Sequence, residues 1–270
     1  MLLYIVAAVV GALPLVVVAA GYAALPPGLE DRWRAAFILA LARIIHITPY
    51  KIYELLGYGS YFDNILIVQR EADKGMDAPP KSAACHTLKV GWEDLAGQRV
   101  LVYRPRDAAD SEKLPCLVYM HGGGWCMHNP IFCDHFMHRV ALMSRKVTIS
   151  IHYRRAPQNP FPDAFHDCLD VTCHVLEHGE TLGVDVTRVG VGGDSSGGNI
   201  AAAVAVHLRE EKYQHLPPLK YQFLLHPMLQ ALNFRLPSHL DAGDFCPILD
   251  RYAEAGFWAL YMGLGEGLTV

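Results

Sequence analysis

An α/β fold, with a mostly parallel sheet flanked by helices, is what this 270-residue sequence predicts. Three observations predict it. Strand-like and helix-like segments alternate through the middle of the chain, the pattern of a parallel sheet. Two glycine-rich turns, His121-Gly-Gly-Gly-Trp125 and Gly193-Asp-Ser-Ser-Gly-Gly198, each follow an apolar strand. They therefore fall at strand carboxyl ends, where such sheets carry function. Hydrophobic residues make up 52% of the chain, enough to bury one sizeable core.

The elements follow in order. Met1 to Leu29 contains no charged side chain and Leu2–Ala20 is almost wholly apolar. That length matches the roughly 20 residues needed to cross a bilayer, so residues 1–24 read as a signal-anchor transmembrane helix. A cleaved signal peptide, the alternative, would show a basic n-region and a shorter apolar core. Arg32, Arg34 and Arg43 follow the span, and by the positive-inside rule they put the body of the protein in the cytoplasm. Residues 25–80 read as a helical cap and linker. Trp33–Ile47 has Phe37, Leu41, Ile44 and Ile45 near one face and ends before Pro49. That face is expected to pack on the core, the membrane surface being the other reading. The charged stretch from Arg70, closed by Pro79 and Pro80, reads as a linker.

Residues 81–229 read as the α/β core. Strands are expected at Arg99–Tyr103, Cys116–Met120, Val147–Ile151, Arg188–Val191 and Tyr221–Leu225, and helices at Phe132–Ser144, Ala164–His178 and Gly198–Glu211. Residues 230–270 read as the start of a lid, with a helix near Tyr252–Met262. Its Phe257, Trp258, Leu260 and Tyr261 suit an acyl-binding wall or ordinary helix packing.

The second glycine motif carries chemistry. Gly193-x-Ser195-x-Gly197 between a strand and a helix is a nucleophile elbow, a turn so sharp that residues two positions either side of the serine must lack Cβ. In the first motif, bare backbone N–H groups of Gly122, Gly123 and Gly124 can point at a developing oxyanion. Other classes are disfavoured. The net charge of −4 leaves no footprint for nucleic acid. Gly190-x-Gly192-x-x-Ser195 lacks the third glycine of a dinucleotide fingerprint, and neither loop has a Walker Lys-Ser/Thr. Cys133, His135 and His138 have no second metal half at zinc spacing, so they read as surface or packing residues and no metal site is expected. Seven dispersed cysteines do not form a disulfide framework.

These motifs, with Tyr153-Arg-Arg-Ala-Pro-Gln-Asn-Pro-Phe-Pro162, resemble the arylacetamide deacetylase-like branch of the hormone-sensitive-lipase group of α/β-hydrolases. The similarity runs from the N-terminal apolar segment to about Leu236. The resemblance implies a membrane-anchored serine carboxylesterase or amidase in the endoplasmic reticulum membrane, its catalytic domain luminal, against the arginine count. It implies Ser195 as nucleophile, the N–H groups of Gly123, Gly124 and Ser196 as oxyanion hole, and His121 as a loop-shaping residue. Two departures stand out. Gln158 occupies a position where the family usually carries Glu, and the family's catalytic acid and histidine fall beyond Val270, so the chain reads as C-terminally truncated, its final strands missing. Within the chain, His207, Glu210 and Glu211 lie down the elbow helix; the two glutamates, about 15 residues along, stand ~22 Å away at 1.5 Å per residue. His226 follows the strand Tyr221–Leu225 and could reach the elbow, as a base or as a polar residue lining the pocket.

Two functions compete. The first is hydrolysis of uncharged acyl esters or aryl amides by Ser195, with no metal or organic cofactor. The second is a truncated, non-catalytic membrane protein that binds lipid or protein partners through the same pocket.

Overall fold

A computed structural model describes residues 18–19, 22–23, 25, 30–42, 55–59, 65–76, 79–109, 111–233, 235–237 and 251–264. It divides into two compact units, residues 1–64 with 232–256, and residues 65–231 with 257–270. Residues 1–17 lie outside the described residues, and with them nearly all of the expected Leu2–Ala20 span. Among the described residues, no helix is long and apolar enough to cross a membrane.

In the first unit the described helix is α1, Arg32–Ala42. It starts where Trp33–Ile47 is expected, and Ile44 and Ile45 fall outside the described residues. Its outer face differs from expectation. Trp33, Phe37, Ile38 and Leu41 are each about half exposed or more, while Ala36 and Ala40 are buried. Packing on a core therefore engages the alanines and leaves the large side chains outside.

The second unit opens with α2, Ile65–Asp73. This corrects the linker reading of Arg70 onward: the helix runs through Asp73, and Gln69 is buried with its amide donating to the Cys126 and Ala156 carbonyls. Local charge suggested a solvated stretch, but the partners of Gln69 and Asp73 lie 57 and 82 residues away.

A six-stranded sheet follows, in the order β1-β2-β4-β3-β5-β6. The strands are β1 Leu88–Leu95, β2 Gln98–Pro105, β3 Leu114–Met120, β4 Val147–Ile151, β5 Val184–Asp194 and β6 Tyr221–Leu225. β4, β3, β5 and β6 run parallel to one another, and β2 runs antiparallel to both β1 and β4. Sequence periodicity missed β1, whose residues alternate poorly. It pairs through a hairpin in which Ala96 and Gly97 both have positive φ, 51° and 79°, as a type I′ turn demands.

Three helices cover the sheet: α3 Asp134–Ser144, α4 Asp163–His178 and α5 Ser195–His207. Leu101, Tyr103, Leu117 and Tyr119 bury one sheet face against Met137 and Ala141 of α3. α4 packs against α5 and β5, and α5 also meets β3 and β6. A last helix, α6, spans Arg251–Tyr261. In the second unit its Tyr261 ring stacks on Trp125 with centroids 4.5 Å apart, and Trp258 tilts against the same indole at 4.3 Å.

Candidate active site

The junction of β5 and α5 places Ser195. The strand ends at Asp194 and the helix begins at Ser195 itself, three residues before the expected Gly198. Ser195 has φ of 52°, a left-handed conformation that costs a non-glycine residue about 1–3 kcal/mol and persists only where its surroundings enforce it. The surroundings do so by close approach. A Cβ on Gly193 would lie 2.6 Å from the Met120 carbonyl oxygen, and one on Gly197 would collide with the carbonyls of Met120 and His121. Both flanking glycines are thus required for the elbow helix to sit against the end of β3.

The same contacts bring the first glycine motif to the serine. The chain leaves β3 through His121 and Gly122, then turns with positive φ at Gly123, Gly124 and Trp125. Asp194 Oδ1 accepts hydrogen bonds from the Gly122 N–H at 2.9 Å and the Tyr119 hydroxyl at 2.7 Å. The residue before Ser195 therefore ties the glycine loop to the elbow. This corrects the assignment of Gly122, whose N–H is committed to Asp194 and is not free to receive an oxyanion. Gly123 and Gly124 N–H groups donate to no described residue, and Ser196, in the first turn of α5, has an N–H of the kind a helix leaves unpaired. These three form the candidate hole. Sequence reasoning missed the role of Asp194; its signal was a carboxylate one residue before a serine at a strand end.

His121, the expected loop-shaping residue, lies at the start of the glycine loop. Its ring is fully buried and stacks on Tyr153 at 4.2 Å. Nδ1 lies 2.8 Å from the Gly122 carbonyl oxygen, which requires the proton on Nδ1. Burial holds the imidazole well below the ordinary histidine value, so it stays neutral. The Tyr153 hydroxyl donates to the His121 carbonyl at 2.6 Å and fixes the loop from behind. Over the loop, the Phe257 ring occupies the space that a Cβ on Gly124 would need.

His226 sits directly after β6, exposed and with φ of 36°. The strand end is beside the elbow, since the Met228 N–H donates to the Ser195 carbonyl at 3.1 Å. No hydrogen bond joins the His226 imidazole to Ser195 Oγ, and no described residue bonds that hydroxyl. His207 is engaged elsewhere, with Nδ1 2.6 Å from Glu210. The described residues thus bring a candidate nucleophile beside a candidate oxyanion hole, and none of them places a base in hydrogen-bonding contact with Ser195 Oγ.

Gln158 is explained by α2. Its amide donates to Gln69 Oε1 at 2.6 Å, while the Gln69 amide is committed to two carbonyls. A carboxylate at 158 would meet an acceptor there. A cleft of about 630 Å³ lies nearby between α2 and the segment after β4, lined by Arg70, Asp73 and His152. It does not include Ser195 or the glycine loop. Cys133 is buried, and among the described residues no group of His, Cys, Asp or Glu is arranged to hold a metal. The described cysteines are free thiols.

A nucleophile elbow backed by a glycine loop on a parallel sheet defines an α/β-hydrolase. Residues 117–269 match the family model described as alpha/beta hydrolase fold, and the chain belongs to this family of hydrolases. It is similar to arylacetamide deacetylase of Mus musculus, 31% identical over 252 residues, covering 92% of this chain and 61% of the relative. It is also 31% identical to neutral cholesterol ester hydrolase 1 of Rattus norvegicus, over 89% of this chain and 58% of the relative. An esterase of Pyrobaculum calidifontis of known structure superposes with a TM-score of 0.62 at 31% identity, covering 80% of this chain and 69% of that one. The chain spans about 60% of the length of the curated relatives it matches.

Proposed function

We propose that this chain carries the nucleophile and oxyanion hole of a membrane-anchored serine carboxylesterase or amidase acting on uncharged acyl esters or aryl amides. The observation that carries the proposal is the strained Ser195 beside the Gly123–Gly124 loop, with Asp194 joining the two. Ser195 Oγ attacks the acyl carbonyl, and the carbonyl oxygen takes on negative charge. The N–H groups of Gly123, Gly124 and Ser196 stabilise that oxyanion; losing one such donor costs about 10²–10³-fold. A base takes the Ser195 Oγ proton and passes it to the departing alcohol or amine, the bond from the acyl carbon to that group breaks, and an acyl group remains on Ser195. The base and the acid that orients it come from outside the described residues.

The anchor in the proposal is the uncharged Leu2–Ala20 segment. Placement in the endoplasmic reticulum membrane with the catalytic unit luminal rests on the family resemblance, against the arginines that follow the span. Protease protection in sealed microsomes tests it: the luminal reading requires residues 65–231 to survive until detergent is added.

Activated aryl esters test the chemistry directly. With no base in contact, deacylation is slow, so incubation with a p-nitrophenyl ester should leave an acyl adduct that peptide mass mapping assigns to Ser195. The adduct should be absent in Ser195→Ala. Acylation confined to other residues would overturn the assignment.

A further inference from the structure

We infer that α1 lies along a phospholipid bilayer surface, its Trp33, Phe37 and Leu41 side chains inserted at the headgroup boundary. The inference rests on the proposed anchor and adds a second, lateral contact to it.

The first observation is the inverted packing of α1. A helix on a water-facing surface buries its large apolar residues and exposes polar ones. Here Ala36 and Ala40 are 0% and 3% exposed, whereas Trp33 is 60%, Phe37 58%, Ile38 54% and Leu41 46% exposed. Trp33, Phe37 and Leu41 recur every fourth residue and form one row along the helix. Contiguous exposed apolar rows mark interaction surfaces.

The second observation identifies the occupant as lipid. Tyr22 comes two residues after the apolar Leu2–Ala20 run, where tyrosine and tryptophan sit at a membrane–water boundary. The Trp33 ring stacks on Tyr22, with centroids 3.9 Å apart and planes inclined by 17°. Trp33 is therefore held beside Tyr22, which follows the proposed span in the sequence. Arg32 locks this corner: its Nη2 donates to the Tyr22 and Leu25 carbonyls, each at 2.7 Å, and its guanidinium lies over the Tyr22 ring at 4.2 Å. A helix tied to that corner and presenting an apolar row meets the bilayer boundary along its length, about 16 Å at 1.5 Å per residue.

The charge distribution fits the same occupant. α1 contains Arg32 and Arg34 and no acidic residue. Arg34 is exposed beside the apolar row, where its stem can lie on acyl chains while its guanidinium reaches phosphate groups. Interfacial helices combine such features.

Depth-dependent fluorescence quenching tests the inference. The full chain is reconstituted into phosphatidylcholine vesicles containing phosphatidylserine, with bromine placed either high or deep on the acyl chains. Three other tryptophans are present, so the Trp33 signal is the difference between the chain and its Trp33→Phe variant. The expected result is stronger quenching by the shallow bromine, lost in Trp33→Phe and reduced when Phe37→Asp and Leu41→Asp are combined. A chain that floats with the vesicles but shows equal quenching with and without Trp33 would overturn the inference and leave the anchor standing. Shielding of Trp33 from bromine together with cross-linking between copies at α1 would overturn it in favour of a second copy. A chain that does not float with vesicles would overturn both readings.

Discussion

Asp194 joins the two halves of the site, because one carboxylate oxygen receives both the Gly122 N–H and the Tyr119 hydroxyl. Asp194→Ala should therefore slow acylation of Ser195 by about 10²-fold, the lower end of what loss of one oxyanion donor costs; stopped-flow release of p-nitrophenolate measures it. Asp194→Asn, which keeps an acceptor oxygen, should retain much of the rate. Gln158 gives a second residue-scale prediction. Gln158→Glu sets a carboxylate against Gln69 Oε1 and removes a donor, and should cost about 1–2 kcal/mol in urea unfolding. An unchanged midpoint would show that the Gln69 amide turns over despite its two carbonyl partners. At this scale the sequence was legible where chemistry is local. The turn at Ser195 and the glycine turn after His121 could be read from their motifs. The roles of Asp194 and Gln69 could not, because each depends on a partner 57 or more residues away.

At the scale of elements, the close approach of α5 to β3 decides whether the elbow forms. Gly197→Ala drives a Cβ into the carbonyls of Met120 and His121, backbone atoms that cannot step aside. The expected cost is more than about 4 kcal/mol, the range of severe core disruption, read as loss of soluble folded protein or a large fall in thermal midpoint. Alanine at Gly91, where nothing lies within 4 Å of the added atom, should leave the midpoint nearly unchanged. The strands Val147–Ile151 and Tyr221–Leu225 could be read to the residue from short β-rich runs. β1 could not, since Lys89, Gly91, Glu93 and Asp94 interrupt its pattern and only pairing with β2 makes it a strand. Nor could the packing of α1, whose apolar face suggested a buried surface and instead stands exposed.

For the whole molecule, folding makes acid destabilising through histidines buried neutral. Desolvation lowers the pKa of His152 to about 4, and its Nε2 is buried without a partner. A basic group with a lowered folded pKa binds a proton in the unfolded chain first. Stability is therefore complete above about pH 6.5 and falls as pH drops from there towards about 4. The loss from this one group is on the order of a few kcal/mol at 1.36 per pKa unit; His121, lowered in the same direction, adds to it. Urea unfolding at pH 7 and pH 5 should show the drop, and His152→Asn should flatten it. The central claim is the proposal that this unit holds Ser195 against a preformed oxyanion hole, with His226 not serving as its base. The most direct measurement is steady-state hydrolysis of an aryl ester by the folded chain, its Ser195→Ala variant and its His226→Ala variant. The expected result is slow turnover that Ser195→Ala removes and His226→Ala leaves in place. Rapid turnover abolished by both substitutions would contradict the account, because it would make the exposed histidine after β6 the base of a complete catalytic site.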